Sequence, residues 1–161
     1  MSDKIIEVEY ESQEVDAAIA GLLHAVGDLT PFYKDAGEHL VNTTKRRFET
    51  STAPDGTPWA PNSAVTLARK KGTKPLIGET RELSTAIHYV IDADGLMVGS
   101  NKIYAAAQQF GMVRGYAGQN KRNAPIPWGD IPAREYLGLS DADEVEILAL
   151  AVDHLKNAME G

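Results

Sequence analysis

The stretch Ile87-His88-Tyr89-Val90-Ile91-Asp92-Ala93-Asp94-Gly95-Leu96-Met97-Val98 sets the fold class. Ile87, Tyr89 and Ile91 alternate with His88 and Val90, the two-residue period of a strand. Asp94-Gly95 supplies residues that tolerate positive φ, so the spacing predicts a tight antiparallel hairpin into 96–98. Asp92-Ala93-Asp94-Gly95 also matches the opening of a calcium loop, but Leu96 stands at position five and Ile103, not a Glu, at position twelve. The hairpin turn is therefore the better reading.

Working outward, residues 79–86 are helix-prone, and the long element lies further upstream. Thr30-Pro31 reads as N-cap and first-turn proline. Tyr33, Ala36, Leu40, Val41, Thr44 and Phe48 then mark one side of a helix over 31–50. Lys45, Arg46 and Arg47 in its last turns meet the partial negative charge of a helix C-terminus. Before it, Val15, Ala18, Ile19, Leu22, Leu23 and Val26 recur at helical spacing between a Ser12 cap and Gly27. Over 4–10, Ile6, Val8 and Tyr10 alternate with Glu7 and Glu9, which predicts a short N-terminal strand.

Residues 51–74 turn to Pro, Gly, Ser, Thr, Asn and Lys and read as a loop enclosing a short helix over 62–69. Downstream of the hairpin, 103–110 is an Ala-rich helix stopped by Gly111, and 112–127 predicts a mobile excursion carrying Arg114, Lys121 and Arg122. Ser140 with Asp143 and Glu144 forms a capping-box-like start. Leu148, Ala151, Val152, Leu155 and Met159 then define an amphipathic C-terminal helix. The expectation is an α+β fold: one domain over 1–161, with a small antiparallel sheet packed against the long helix and the C-terminal helix, and two long irregular loops.

At 161 residues, 43% of them hydrophobic, the chain suits one core and leaves no room for a second domain. No apolar run nears the roughly 18–20 residues that span a bilayer, and Ser2-Asp3-Lys4 does not open a signal peptide, so a soluble cytoplasmic product is expected. The absence of cysteine removes disulfides, thiolate nucleophiles and Cys-based zinc sites. With 23 acids against 16 bases and a net charge of -7, non-specific duplex binding is not expected.

Asp141, Asp143, Glu144 and Glu146 are acids of the kind that perform acid/base or metal chemistry, yet they sit where a helix N-terminus favours negative charge, and capping is preferred. His24, His39, His88 and His154 have no ligand spacing. No serine lies in a Gly-x-Ser-x-Gly elbow, and Gly111, Gly115 and Gly118 lack the Lys-Ser/Thr of a phosphate loop. Asn42-Thr43-Thr44 fits a glycosylation sequon only by accident, inside a helix. No enzyme, cofactor or metal site is therefore expected.

The basic sets Lys45-Arg46-Arg47, Arg69-Lys70-Lys71-Lys74 and Arg114-Lys121-Arg122 fit solvated faces, contacts to acidic neighbouring subunits, or a passage with DNA nearby at most. Trp59, Phe110 and Trp128 stand beside Pro or Gly, where an aromatic either anchors its loop or fills a partner's pocket. The anchor is preferred for Trp59 and Phe110, and the two readings are even for Trp128. Arg134, on an expected strand two residues before Tyr136, suits a carboxylate within the chain or across a subunit boundary. Trp59, Phe110, Arg114, Trp128 and Arg134 are thus the candidate interface residues.

Several fragments fall in a recognisable order: Arg46-Arg47-Phe48, Pro54-Asp55-Gly56-Thr57-Pro58-Trp59, Leu76-Ile77 with Arg81-Glu82-Leu83, Tyr104-Ala105-Ala106-Ala107-Gln108-Gln109-Phe110-Gly111, and Arg134-Glu135-Tyr136-Leu137-Gly138-Leu139-Ser140. Over roughly residues 40–145 this order resembles the virion morphogenesis family of tailed bacteriophages, the tail-completion proteins. Gly78-Glu79-Thr80-Arg81 stands where that family has Asp-Thr-Gly, and Gln108 where it has His. The resemblance implies a protein that caps the head-proximal end of the tail as a ring of copies, a hexamer on a six-fold tail. It implies tail tube or sheath protein and head-neck connectors as partners, and a place in the virion neck after assembly in the host cytoplasm. A head-side neck or capsid-assembly role is the alternative.

Overall fold

The computed structural model describes residues 8, 9, 11–78 and 80–161. In chain order the elements are α1 (Gln13–Val26), α2 (Thr30–Thr50), α3 (Ala64–Arg69), α4 (Glu82–Thr85), β1 (Ile87–Asp92), β2 (Gly95–Ser100), α5 (Ala105–Phe110) and α6 (Asp141–Glu160). The strand expected over 4–10 lies outside the described residues except for Val8 and Glu9, which have no strand partner among the described residues.

β1 and β2 form the antiparallel hairpin, in register from Ile87↔Ser100 to Asp92↔Gly95. The turn sits one residue earlier than expected. Ala93-Asp94 closes it, Gly95 alone takes positive φ at 137°, and the Asp92 carboxylate accepts from the Asp94 and Gly95 amides at 2.8 and 3.1 Å. α2 crosses both strands. A Cβ on Gly37 would lie 2.6 Å from the Tyr89 ring, so a glycine on α2 is what lets β1 pack this closely.

Caps fix the helix ends. Ser12 Oγ accepts from the Val15 amide and Gly27 closes α1 in the left-handed region at φ 72°. α2 begins at the expected cap, one residue before the expected first helical position. Thr30 is helical, and the Asp28 carboxylate accepts its amide at 3.0 Å. The Ser140–Asp143 capping box opens α6. α4 is shorter than the 79–86 reading, and 134–136 is irregular, with no strand partner among the described residues.

Two apolar clusters share α2. Its first half gives Phe32 and Ala36 to a core with Val15 and Leu22 of α1 and Ile147 and Ala151 of α6. Its last turn gives Phe48 to a second core with Trp59, Leu83, Ile87, Ala105, Tyr136 and Leu137. There the Phe48 ring meets Trp59 edge-on at 5.5 Å and Tyr136 at 5.2 Å. Each such buried side chain contributes roughly 1.5–3 kcal/mol. Of the stripe expected on α6, Ala151 is buried and Leu148 and Leu155 pack against the first core, while its other two residues turn outward and Ile147 joins the inner face. Ile147 and Ala151 face inward, whereas Val152 and Met159 are 48% and 79% exposed.

Residues 111–131 are a paired arm, where the sequence suggests a mobile excursion. Met112 and Ile131 exchange amide bonds at 2.9 and 2.7 Å, and further bonds run from Gly115 N to Pro127 O, Ala117 N to Ile126 O and Ile126 N to Gly118 O. At the arm's base, Gly111 has φ 76° and ψ 169°, a conformation nearly restricted to glycine. A Cβ there would also stand 2.9 Å from the backbone of Ile131 and Ala133.

Candidate assembly surface

The fragments that make the sequence recognisable converge on residues 134–138. Gln109 Oε1 accepts from the Tyr136 and Leu137 amides, each at 3.0 Å, and its Nε2 donates to Leu137 O at 3.2 Å. Trp59 Nε1 donates to Glu135 O at 2.8 Å. Arg134 donates to the Ala60 and Pro61 carbonyls at 2.7 and 2.9 Å. Tyr136 Oη donates to Ala105 O, and burial, reinforced by Tyr104, drives its pKa well above the ordinary phenol. Gly138 lies against Pro54, where a Cβ would come within 2.9 Å of the proline ring.

The last turn of α2 completes the knot. Arg47 donates to Tyr136 O at 3.0 Å, Gly138 O at 2.9 Å and the Asp143 carboxylate at 2.5 Å. The second Asp143 oxygen meets His39 Nε2 at 2.8 Å. Arg47 is therefore no part of an exposed basic patch. It is 6% exposed and ties α2 to α6. No buried side-chain polar atom among the described residues lacks a partner.

Burial raises the Asp143 pKa, but the Ser140 amide and hydroxyl, then Arg47, outweigh it and hold the carboxyl below the ordinary value. Burial lowers the Arg47 pKa and Asp143 opposes that shift, from a starting value high enough to keep the ion pair charged at neutral pH. A carboxyl whose folded pKa is depressed stabilises the fold above its unfolded value. That contribution is lost as pH falls through the folded one. Stability should therefore decline below about pH 4. Asp28 and Asp55 are also shifted downward by turn hydrogen bonds, so the share due to Asp143 is the acid slope lost in Asp143→Asn, read by urea denaturation from pH 3 to 7. An unchanged slope would show that the pair does not set the acid limit.

Of the five interface candidates, Trp59 and Arg134 are spent inside the chain at 7% exposure each. The partners of Arg134 are carbonyls, where a carboxylate was expected. Phe110, expected as an anchor, is 60% exposed, and Trp128 is 71% exposed. Arg114 is exposed on the arm, its amide held by Asp130. Val113, Tyr116 and Ile126, which sequence reading did not single out, are 63%, 74% and 42% exposed. Phe110, Met112, Val113, Tyr116, Ile131 and Ala133 line an apolar hollow of about 610 Å³ beneath the arm.

A second cleft, of about 620 Å³, separates the 61–70 loop from residues 130–134. Its polar groups serve the fold: Ser63 caps α3 at the Thr66 amide, and Tyr104 Oη donates to Glu82. No group of three metal-ligating side chains occurs among the described residues, and no described helix is long and apolar enough to cross a membrane.

A scaffold knotted through its own backbone, with an apolar and basic arm held outside it, is the build of an assembly protein. The chain belongs to the phage virion morphogenesis family, which it matches over residues 10–156. It is 29% identical over 153 residues to the Mu-like prophage FluMu G protein 2 of Haemophilus influenzae, covering 94% of this chain and 97% of that protein. No solved structure matches it.

Proposed function

We propose that this chain is a structural component of a phage particle that closes the head-proximal end of the finished tail and presents the surface on which the filled head docks. Copies associate in a ring by heterologous contacts that close, in register with a six-fold tail. The tail tube or sheath lies on one side of the ring and the neck connectors on the other. The observation that carries this reading is the arm at 111–131. Its exposed aromatics are of the kind enriched at the centres of protein interfaces, and the scaffold beneath it is tied at every buried polar side chain described.

The test is a phage deleted for this chain, its lysate viewed by electron microscopy. Filled heads beside unattached tails, many of abnormal length or with unfinished ends, are expected. Normal joined particles would refute the role. Defective or empty heads beside normal tails would move it to the head side.

A further inference from the structure

The outer face of α6 has no neighbour among the described elements, yet its sequence is built for contact. Ala142, Val145, Ala149, Val152, Lys156 and Met159 follow one another at alternating intervals of three and four and are all exposed. At roughly 100° per residue they form one stripe, opposite the inward Ile147 and Ala151. This is the spacing of a helix seam that receives a partner. Four exposed acids, Asp141, Glu146, Asp153 and Glu160, border it.

The arm is its complement in charge and shape. Residues 111–131 hold three bases, Arg114, Lys121 and Arg122, and one acid, Asp130. That is a net +2, which leaves -9 on the remainder of a chain whose total is -7. Phe110, Tyr116 and Trp128 are 60%, 74% and 71% exposed. At roughly 150–250 Å² per aromatic, they alone leave on the order of 400 Å² uncovered, about half of one partner's side of a standard interface. The small Ala142 and Ala149 leave room on the seam for such rings.

We propose that the arm of one copy seats on the α6 seam of the next, its aromatics over the alanines and valines and its Lys121 and Arg122 against Glu146 and Asp153. The two surfaces are different patches of one chain, so the contact is head-to-tail and propagates around a ring. This rests on the self-assembly assumed in the proposed function and names the surfaces that perform it. Charge across the contact makes association weaken as salt rises.

The chain has no cysteine, so engineered thiols report without background. Ala117→Cys on the arm and Ala149→Cys on α6 are placed in separate copies, mixed, and joined with a short bismaleimide, both as purified chain and in an infected-cell lysate. Dimers linking the two variants should exceed by at least tenfold those formed when Ala93→Cys at the hairpin tip replaces the arm variant. Lys121→Glu with Arg122→Glu should abolish the link, and Glu146→Lys with Asp153→Lys on the other copy should restore it. A yield no better than that control in both settings, indifference to the charge reversals, or capture of Ala149→Cys by another phage protein would each overturn the contact. Unjoined heads in the deletion lysate, with no cross-link, would leave the tail role standing and remove only this interface. A cross-link without that phenotype would do the reverse.

Discussion

Replacing Arg47 with Met should cost the fold about 3–5 kcal/mol, the range found when one partner of a buried ion pair is removed. Methionine keeps most of the stem volume, so the loss is electrostatic rather than a cavity. Asp143, 1% exposed, would keep its bonds to Ser140 and His39 but lose the guanidinium paired with it. The Tyr136 and Gly138 carbonyls would lose their donor as well. Urea denaturation should show a lower midpoint with an unchanged m-value. Arg46→Met, one residue away and exposed, should move stability by no more than about 0.5 kcal/mol. Equal effects at the two positions would mean the pair does not tie α2 to α6. Adding Asp143→Leu to Arg47→Met should recover part of the loss by removing the orphaned charge, and only part, because Asp143 also caps α6.

What the sequence made legible follows from the range of the interactions involved. Ser12, Gly27 and Ser140 mark helix ends through bonds spanning three or four residues, and the alternation in 87–91 shows its strand directly, so these could be read locally. Arg47 could not. Its three partners lie 89 to 96 positions away, and next to Lys45 and Arg46 it looks like one more surface cation. Trp59 and Arg134 were visible as unusual residues, but whether an aromatic or an arginine in irregular backbone turns inward or outward depends on carbonyls brought close by distant segments. The α6 stripe was legible in part: Leu148, Ala151 and Leu155 do face the core, but both faces carry apolar residues at helical spacing, and only packing against α1 and α2 adds Ile147 and leaves Val152 and Met159 outside. In the arm, abundant Gly and Pro suggested mobility, whereas the cross-arm amide bonds give it a defined course.

Gln109→Met should be the other severe substitution, destabilising by about 3 kcal/mol, because it orphans three buried backbone groups at roughly 1 kcal/mol or more each. The side chain it replaces is 2% exposed and uses its amide at both ends, accepting from the Tyr136 and Leu137 N–H groups and donating to Leu137 O. Methionine fills the same space and supplies none of those bonds. Gln108→Met changes the adjacent residue, whose side chain faces the cleft at 61–70, and should be nearly neutral. Hydrogen exchange gives the specific readout: the Tyr136 and Leu137 amides, bonded to Gln109 Oε1, should exchange far faster in Gln109→Met while those within α1 stay as they are. Uniform acceleration would point to general loosening instead, and unchanged protection would show that the amide does not hold this segment. Because Arg134 N also bonds Gln108 O and Gly111 leaves the same helix end, releasing 134–138 frees the base of the arm. The Gln-Phe-Gly fragment therefore divides its labour: Gln109 clamps the scaffold, Gly111 turns the chain outward, and Phe110 between them is left facing solvent.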